Sequence, residues 1–352
     1  MKEEYSPFKI VHHQKIIEDL KQFKQVVPIQ VQIVPSNVCN QKCLFCAYRM
    51  KEYLSNETFD ERQILSFDKI IEILDDCKEM GVKAVQYTGG GEPLIHLRIK
   101  DIFKHTFQNK LELALVSNGM SLDEELCDLL GDASWIRISV DSSTPELYGF
   151  IRNVPQKTFN KVIKNIETLV KYKRKSIIGI GFVIEKENWS QVFEAAKIAK
   201  NLGVNNFRIS AAFTPMKYEY FKNFFEEAKD LSEKAEELSD NNFTVFNLFG
   251  DRVKDTFENT QNYNFCPIKE LLTYIGADYN VYTCCTLAYN QKGLIGSIKD
   301  QSFMKLWNSD EKQNMFKNHN PIKVCQHPCM YKNKNEFINY CIEQNPTHVN
   351  FI

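Results

Sequence analysis

Short apolar runs and longer amphipathic segments take turns along the first two thirds of the chain. Candidate strands at Ile29 to Val34, Ala84 to Tyr87, Glu112 to Val116, Ile136 to Val140, Ile177 to Ile184 and Asn206 to Ile209 are separated by helix-length segments, among them Phe67 to Met80, Phe159 to Tyr172 and Trp189 to Leu202. Alternation of this kind predicts an α/β fold of βα units on a parallel sheet, with functional groups at the carboxyl ends of the strands. The acidic run from Glu226 to Asp240 reads as a solvated helix face. From about Asn242 helical repetition stops and cysteine, tyrosine and asparagine become frequent. The pattern therefore predicts an N-terminal extension over 1–28, a core over 29–241 and a second, small α+β module over 242–352. In that module Leu271 to Cys285 has two β-rich arms around a polar turn, which predicts a hairpin with Cys284 at a strand end.

Composition narrows the partners more than the chemistry. The 352 residues are 43% hydrophobic and 25% charged, as in an ordinary globular chain. With 44 Lys and Arg against 45 Asp and Glu, nothing marks a nucleic-acid partner. No apolar stretch has the length of a membrane span and the first residues lack a signal-peptide pattern, so the expectation is a cytoplasmic protein with no membrane partner. There, eleven cysteines are reduced thiols available to metal rather than a disulfide framework. Cys77 and Cys127 lie in apolar helical patterns and read as core. His12, His13, His319, His327 and His348 have no partner at metal spacing and read as surface or packing side chains.

Cys39, Cys43 and Cys46 form a C-x3-C-x2-C triplet that can hold an iron–sulfur cluster by three corners and leave the fourth iron open to a ligand. A zinc site is the alternative, but zinc normally takes a second half-motif, and none is near. After the second candidate strand comes Thr88-Gly89-Gly90-Gly91-Glu92-Pro93, whose glycines let the main chain approach a ligand closely. Alone, such a run is an ordinary strand-to-helix turn.

Together these motifs resemble the signature of the radical S-adenosylmethionine (SAM) superfamily. The resemblance implies a partial (β/α)6 barrel and a [4Fe–4S] cluster on Cys39, Cys43 and Cys46. SAM would occupy the open iron, and one electron from a flavodoxin or ferredoxin-type donor would cleave it to a 5′-deoxyadenosyl radical. Gly89, Gly90, Gly91 and Glu92 would meet the SAM amino group. Ser117, Asn118, Ser139 and Asp141, at later strand ends, have short polar side chains suited to SAM's ribose or carboxylate, and equally to turn formation. Arg152 resembles an arginine that faces SAM or substrate in relatives; a surface ion pair is its other reading.

The late cysteines resemble the SPASM/Twitch extension that carries auxiliary [4Fe–4S] clusters. A full SPASM module has more cysteines, whereas here only Cys325, Cys329 and Cys341 follow the hairpin, and Tyr279 stands where a glycine is expected. The resemblance therefore implies one auxiliary cluster on Cys266, Cys284, Cys325 and Cys329, with Cys285 and Cys341 as substitutes; the Cys266 to Cys284 spacing is similar to that of Twitch-bearing aminocyclitol dehydrogenases. Zinc on the same residues is the alternative. The functional expectation is hydrogen abstraction from a small polar substrate such as a sugar, cyclitol or nucleotide, with net oxidation. A peptide substrate is the competing expectation, disfavoured because only about 28 residues precede the first strand, too few for a winged peptide-binding domain. A non-catalytic electron-transfer protein would need closed clusters only.

Overall fold

Ten strands form one sheet in the computed structural model, which describes residues 6–50, 57–257, 261–325 and 328–343. They are β1 (Gln30–Ile33), β2 (Ala84–Tyr87), β3 (Glu112–Ser117), β4 (Trp135–Ser139), β5 (Ile177–Ile184), β6 (Asn206–Ala211), β7 (Thr244–Asn247), β8 (Leu272–Ile275), β9 (Asn280–Tyr282) and β10 (Leu294–Ser297). From β1 to β7 each strand pairs in parallel with the next. Connecting helices start and stop on local signals: Phe67–Met80 is capped by Ser66, which accepts from the Lys69 amide, and ends at Gly81 with φ 86°.

The two faces of the strands differ in chemistry. Val31, Ile33, Val85, Leu113, Leu115, Ile136, Ile138, Ile180, Phe207 and Ile209 are buried in one core cluster with residues of the covering helices, including Ile70, Leu126, Val162 and Ala196. The intervening positions, Gln30, Gln32, Gln86, Trp135, Arg137, Asn206 and Arg208, line a cavity of about 1010 Å³. Since successive side chains of a strand point to opposite faces, the sheet curls with its apolar face under helices and its polar face around a lumen. Parallel strands are usually apolar on both faces, so this alternation marks a chamber built to hold something polar.

Two features depart from the sequence reading. Beyond Asn242 the repeat continues for one more unit, β7 and the helix Phe249–Phe257, and β7 pairs with β6. The residues of β7 follow Ser239-Asp240-Asn241-Asn242, a cluster of turn formers that reads as a loop. The second is the hairpin β8–β9, which forms as expected but also lays β8 parallel to β1, Ile275 opposite Ile33. The C-terminal module thus shares the sheet of the core. Cys77 and Cys127 are buried, as is His319; His327 and His348 lie outside the described residues. The helix Phe225–Glu236 buries Ala228, Ser232 and Ala235 and turns its acidic positions outward. No helix among the described residues is long and apolar enough to cross a membrane.

Candidate active site

The cysteine loop leaves the carboxyl end of β1 and is tied down on two sides. Lys42 and Leu44 donate backbone hydrogen bonds to Arg152 and Ile151, and Gly91 and Glu92 donate to the Ser36 and Val38 carbonyls at 3.1 and 2.9 Å. A Cβ on Gly91 would stand 2.2 Å from the Val38 oxygen, so this glycine is required by the close pass of the two loops. Glu92, 2% exposed, spends both oxygens within the protein: Oε1 accepts from Ser117 Oγ at 2.7 Å and Leu94 N at 3.1 Å, and Oε2 from Asn118 N at 2.7 Å. Burial pushes its carboxyl up, against the pull of those donors. Asn118 continues the chain, donating to Asn40 at 2.7 Å with Cys39 Sγ at 4.0 Å. Glu92, Ser117 and Asn118 therefore brace the cysteine loop and the glycine run against each other.

Arg152 corrects its surface reading. It is 4% exposed, its guanidinium bound to the equally buried Asp141 and lying 3.1 Å from Gln41 Oε1 and 3.4 Å from Cys43 Sγ. Asp141, whose φ is 60°, also accepts from Val183 N at 2.6 Å, and its carbonyl accepts from Asn188 at 3.0 Å. Its carboxylate is thereby committed to the protein. Ser139 is half-buried on the lumen side of β4, in step with Trp135 and Arg137.

Burial raises the Cys39 thiol to about 11 and the Cys46 thiol as well, each further raised by Cys43. Such thiols ionise readily only against a metal or cation. The Arg152 guanidinium beside Cys43, with a buried Nε that has no partner among the described residues, suits an anionic sulfur-rich group.

A second thiol group lies in the C-terminal module. Cys284 feels Cys285, Cys325 and Cys329, Cys325 feels Cys266 and Cys329, and Cys329 feels Cys266, all raised first by burial. Polar groups surround them: Tyr331 N lies 3.4 Å and Tyr263 Oη 3.8 Å from Cys329 Sγ, while the Cys266 thiol meets Asn335 Oδ1 at 3.5 Å. Cys341 is elsewhere, half-buried on the helix Lys332–Ile342, where the charge it feels is Lys21. Cys285 turns instead to Tyr331 Oη at 3.5 Å and Met330 Sδ at 3.7 Å on the cavity wall. Among the described residues no three such groups close on a single metal ion. The thiols are grouped without being drawn onto one centre.

Sequence reasoning missed the lumen itself. Its signal was present in the alternation of Gln30 and Gln32 in β1, Arg137 and Ser139 in β4, and Asn206, Arg208 and Ser210 in β6 with apolar residues. It also missed the aromatic cluster of Tyr48, Phe59, Tyr274, Tyr282 and Tyr289 that joins cysteine loop to hairpin, where Tyr289 donates to Asn37 at 2.6 Å and Tyr48 meets Tyr274 at 3.0 Å.

The model of the radical SAM superfamily matches residues 33–199, and that of the SPASM iron–sulfur cluster-binding domain matches residues 266–330. The chain thus carries a radical SAM domain over the first of these stretches. More narrowly, it carries a C-terminal SPASM domain, and the two domains imply a [4Fe–4S] cluster with SAM and auxiliary iron–sulfur ligation. It is 27% identical over 180 residues to the tungsten-containing aldehyde ferredoxin oxidoreductase cofactor-modifying protein of Pyrococcus furiosus, covering 49% of this chain and 48% of that one. It is 31% identical over 184 residues to the GTP 3′,8-cyclase of Aquifex aeolicus, covering 50% of this chain and 55% of the relative. The match thus spans about half the length of these curated relatives. Among solved structures, Streptococcus suis SuiB bound to precursor peptide SuiA shares the fold with a TM-score of 0.64 at 17% identity, over 96% of this chain and 78% of that one.

Proposed function

We propose that this enzyme abstracts hydrogen from a small polar substrate held in the barrel lumen and completes a net oxidation of it. One observation carries the reading. A single cavity is walled by Ala47, Tyr48, Thr88 and Gly89 beside the first thiol group and by Cys285, Thr286, Met330 and Tyr331 beside the second. A substrate there lies between both. With cofactors bound, Cys39, Cys43 and Cys46 would hold the cluster that cleaves SAM reductively, and Cys266, Cys284, Cys325 and Cys329 a cluster able to accept the second electron. The chain's own residues position the reactants. Glu92, Ser117 and Asn118 hold the glycine run, Arg152 offsets charge at Cys43, and Gln32 Oε1, buried without a hydrogen-bond partner among the described residues, offers a polar substrate an acceptor. The cavity's size, about 1010 Å³, suits SAM with a small molecule, pockets for such ligands being roughly 300–1,000 Å³.

The test uses anaerobically reconstituted protein with SAM and a flavodoxin or ferredoxin-type donor. Deuterium from a labelled sugar, cyclitol or nucleotide is expected in 5′-deoxyadenosine, with a product two mass units lighter than the unlabelled substrate. Deuterium transfer from a peptide, and none from small molecules, would overturn the small-molecule reading in favour of peptide modification.

A further inference from the structure

The lumen is far more basic than the chain around it. The formal net charge of the whole is −1, yet the cavity wall carries seven Lys and Arg side chains against three Asp and Glu. The excess gathers on one side. Lys334, half-buried on the helix Lys332–Ile342, has no carboxylate partner among the described residues. Burial holds its ammonium down at about 8, and Lys9, Arg208 and Arg252 depress it further by like-charge repulsion. Arg252 is fixed in place: it donates to the Cys329 carbonyl at 3.2 Å and the Met330 carbonyl at 2.9 Å, and pairs with Asp255 at 3.4 Å. Arg137 approaches from β4 by lying across Gly181, where a Cβ would stand 3.3 Å from its Cδ; Gly181 is the register partner of Arg208. A side chain at Gly181 would lift Arg137 off the wall. Cations crowded in a low-dielectric chamber repel one another, and a multiply charged anion among them reverses that cost.

We propose that the substrate carries a phosphoryl group, and that Lys334, Arg208, Arg252 and Arg137 bind it. Guanidinium forks pair with phosphoryl oxygens two at a time, and the Lys334 ammonium adds a mobile point charge. The proposal rests on the lumen being the substrate chamber and names the chemical class the chamber takes.

Inorganic pyrophosphate is the probe, titrated calorimetrically into anaerobically reconstituted protein at low salt, with citrate as a polycarboxylate of similar charge. One pyrophosphate per chain is expected to bind, more tightly than citrate. Lys334→Gln and Arg208→Gln should each weaken it about tenfold or more, from loss of one charge-assisted contact, and Lys299→Gln, at an exposed position, should leave it unchanged. Variants are compared at equal iron content, which reports folding. No binding to the wild-type protein, wild-type affinity in both lumen variants, or tighter binding of citrate would overturn the proposal. Binding is read without reductant or turnover. Its loss therefore leaves the deuterium-transfer test of the chamber standing, and failure of that test leaves the anion site to be judged separately.

Discussion

The guanidinium of Arg152 lies 3.4 Å from the Sγ of Cys43 while its other amino group binds the carboxylate of Asp141. One buried cation thus serves both the strand end after β4 and the cysteine loop. Removing either partner leaves the other charge buried and unpaired, at a cost of about 3–5 kcal/mol. Arg152→Met is therefore expected to lower stability in anaerobic urea unfolding by that amount, and to lose iron from the first site. Asp141→Asn combined with Arg152→Met should recover part of the stability without restoring iron retention. Equal losses in the single and double variants would show that the two charges are not coupled.

Gly91 offers a sharper probe of how the loops meet. Its Cβ would fall on main-chain atoms, 2.4 Å from the Asn37 carbonyl carbon as well as close to Val38. Backbone cannot swing aside as a side chain can. Gly91→Ala should displace the cysteine loop and remove about four of about eight irons while sparing the auxiliary site. Iron and sulfide assays with electron paramagnetic resonance distinguish the two centres.

The separation of Cys341 from the other late cysteines gives a direct comparison. Cys341→Ala should keep about eight irons per chain, whereas Cys329→Ala or Cys325→Ala should fall to about four. A wild-type value near twelve would mean two auxiliary clusters. Replacing Cys39, Cys43 and Cys46 together by Ala should leave the auxiliary iron in place.

Glu185 sets a pH dependence away from both thiol groups. It is 2% exposed, and burial raises its carboxyl to about 7 despite donors at Glu187 N and Tyr220 Oη. Because the folded value exceeds the unfolded one, the native state holds the proton longer, and stability falls as pH rises from about 4.5 to 7. Two and a half pH units correspond to about 3 kcal/mol. Glu185→Gln should flatten that slope and stabilise the protein at neutral pH, measured by urea unfolding across the range. An unchanged slope would assign the pH dependence to other groups.

The sequence made the βα alternation legible because short segments of β-forming residues, β1 to β6, are separated by longer amphipathic ones. It hid β7, which follows the turn-forming cluster Ser239 to Asn242, and the pairing of β8 with β1, because local spacing says nothing about which edge a hairpin joins. Cysteine spacing announced both thiol groups. It could not separate Cys341 from Cys329, since that depends on how the last helix turns one thiol toward Lys21. Nor could it reveal that Glu92 and Asp141 are turned inward to Ser117, Asn118 and Arg152, because a strand-end carboxylate looks the same whether it faces a ligand or a buried arginine.

The parallel seam between β1 and β8 gives the late module a second duty. Without β8, the N–H and C=O groups of β1 on that side would lie bare along an extended strand, a template for pairing with other chains. A fragment ending before Leu272 would carry the whole cysteine loop and glycine run and still tend to aggregate through that edge. The iron-bearing C-terminal region is in this sense a molecular hem, and the core has to be made together with it.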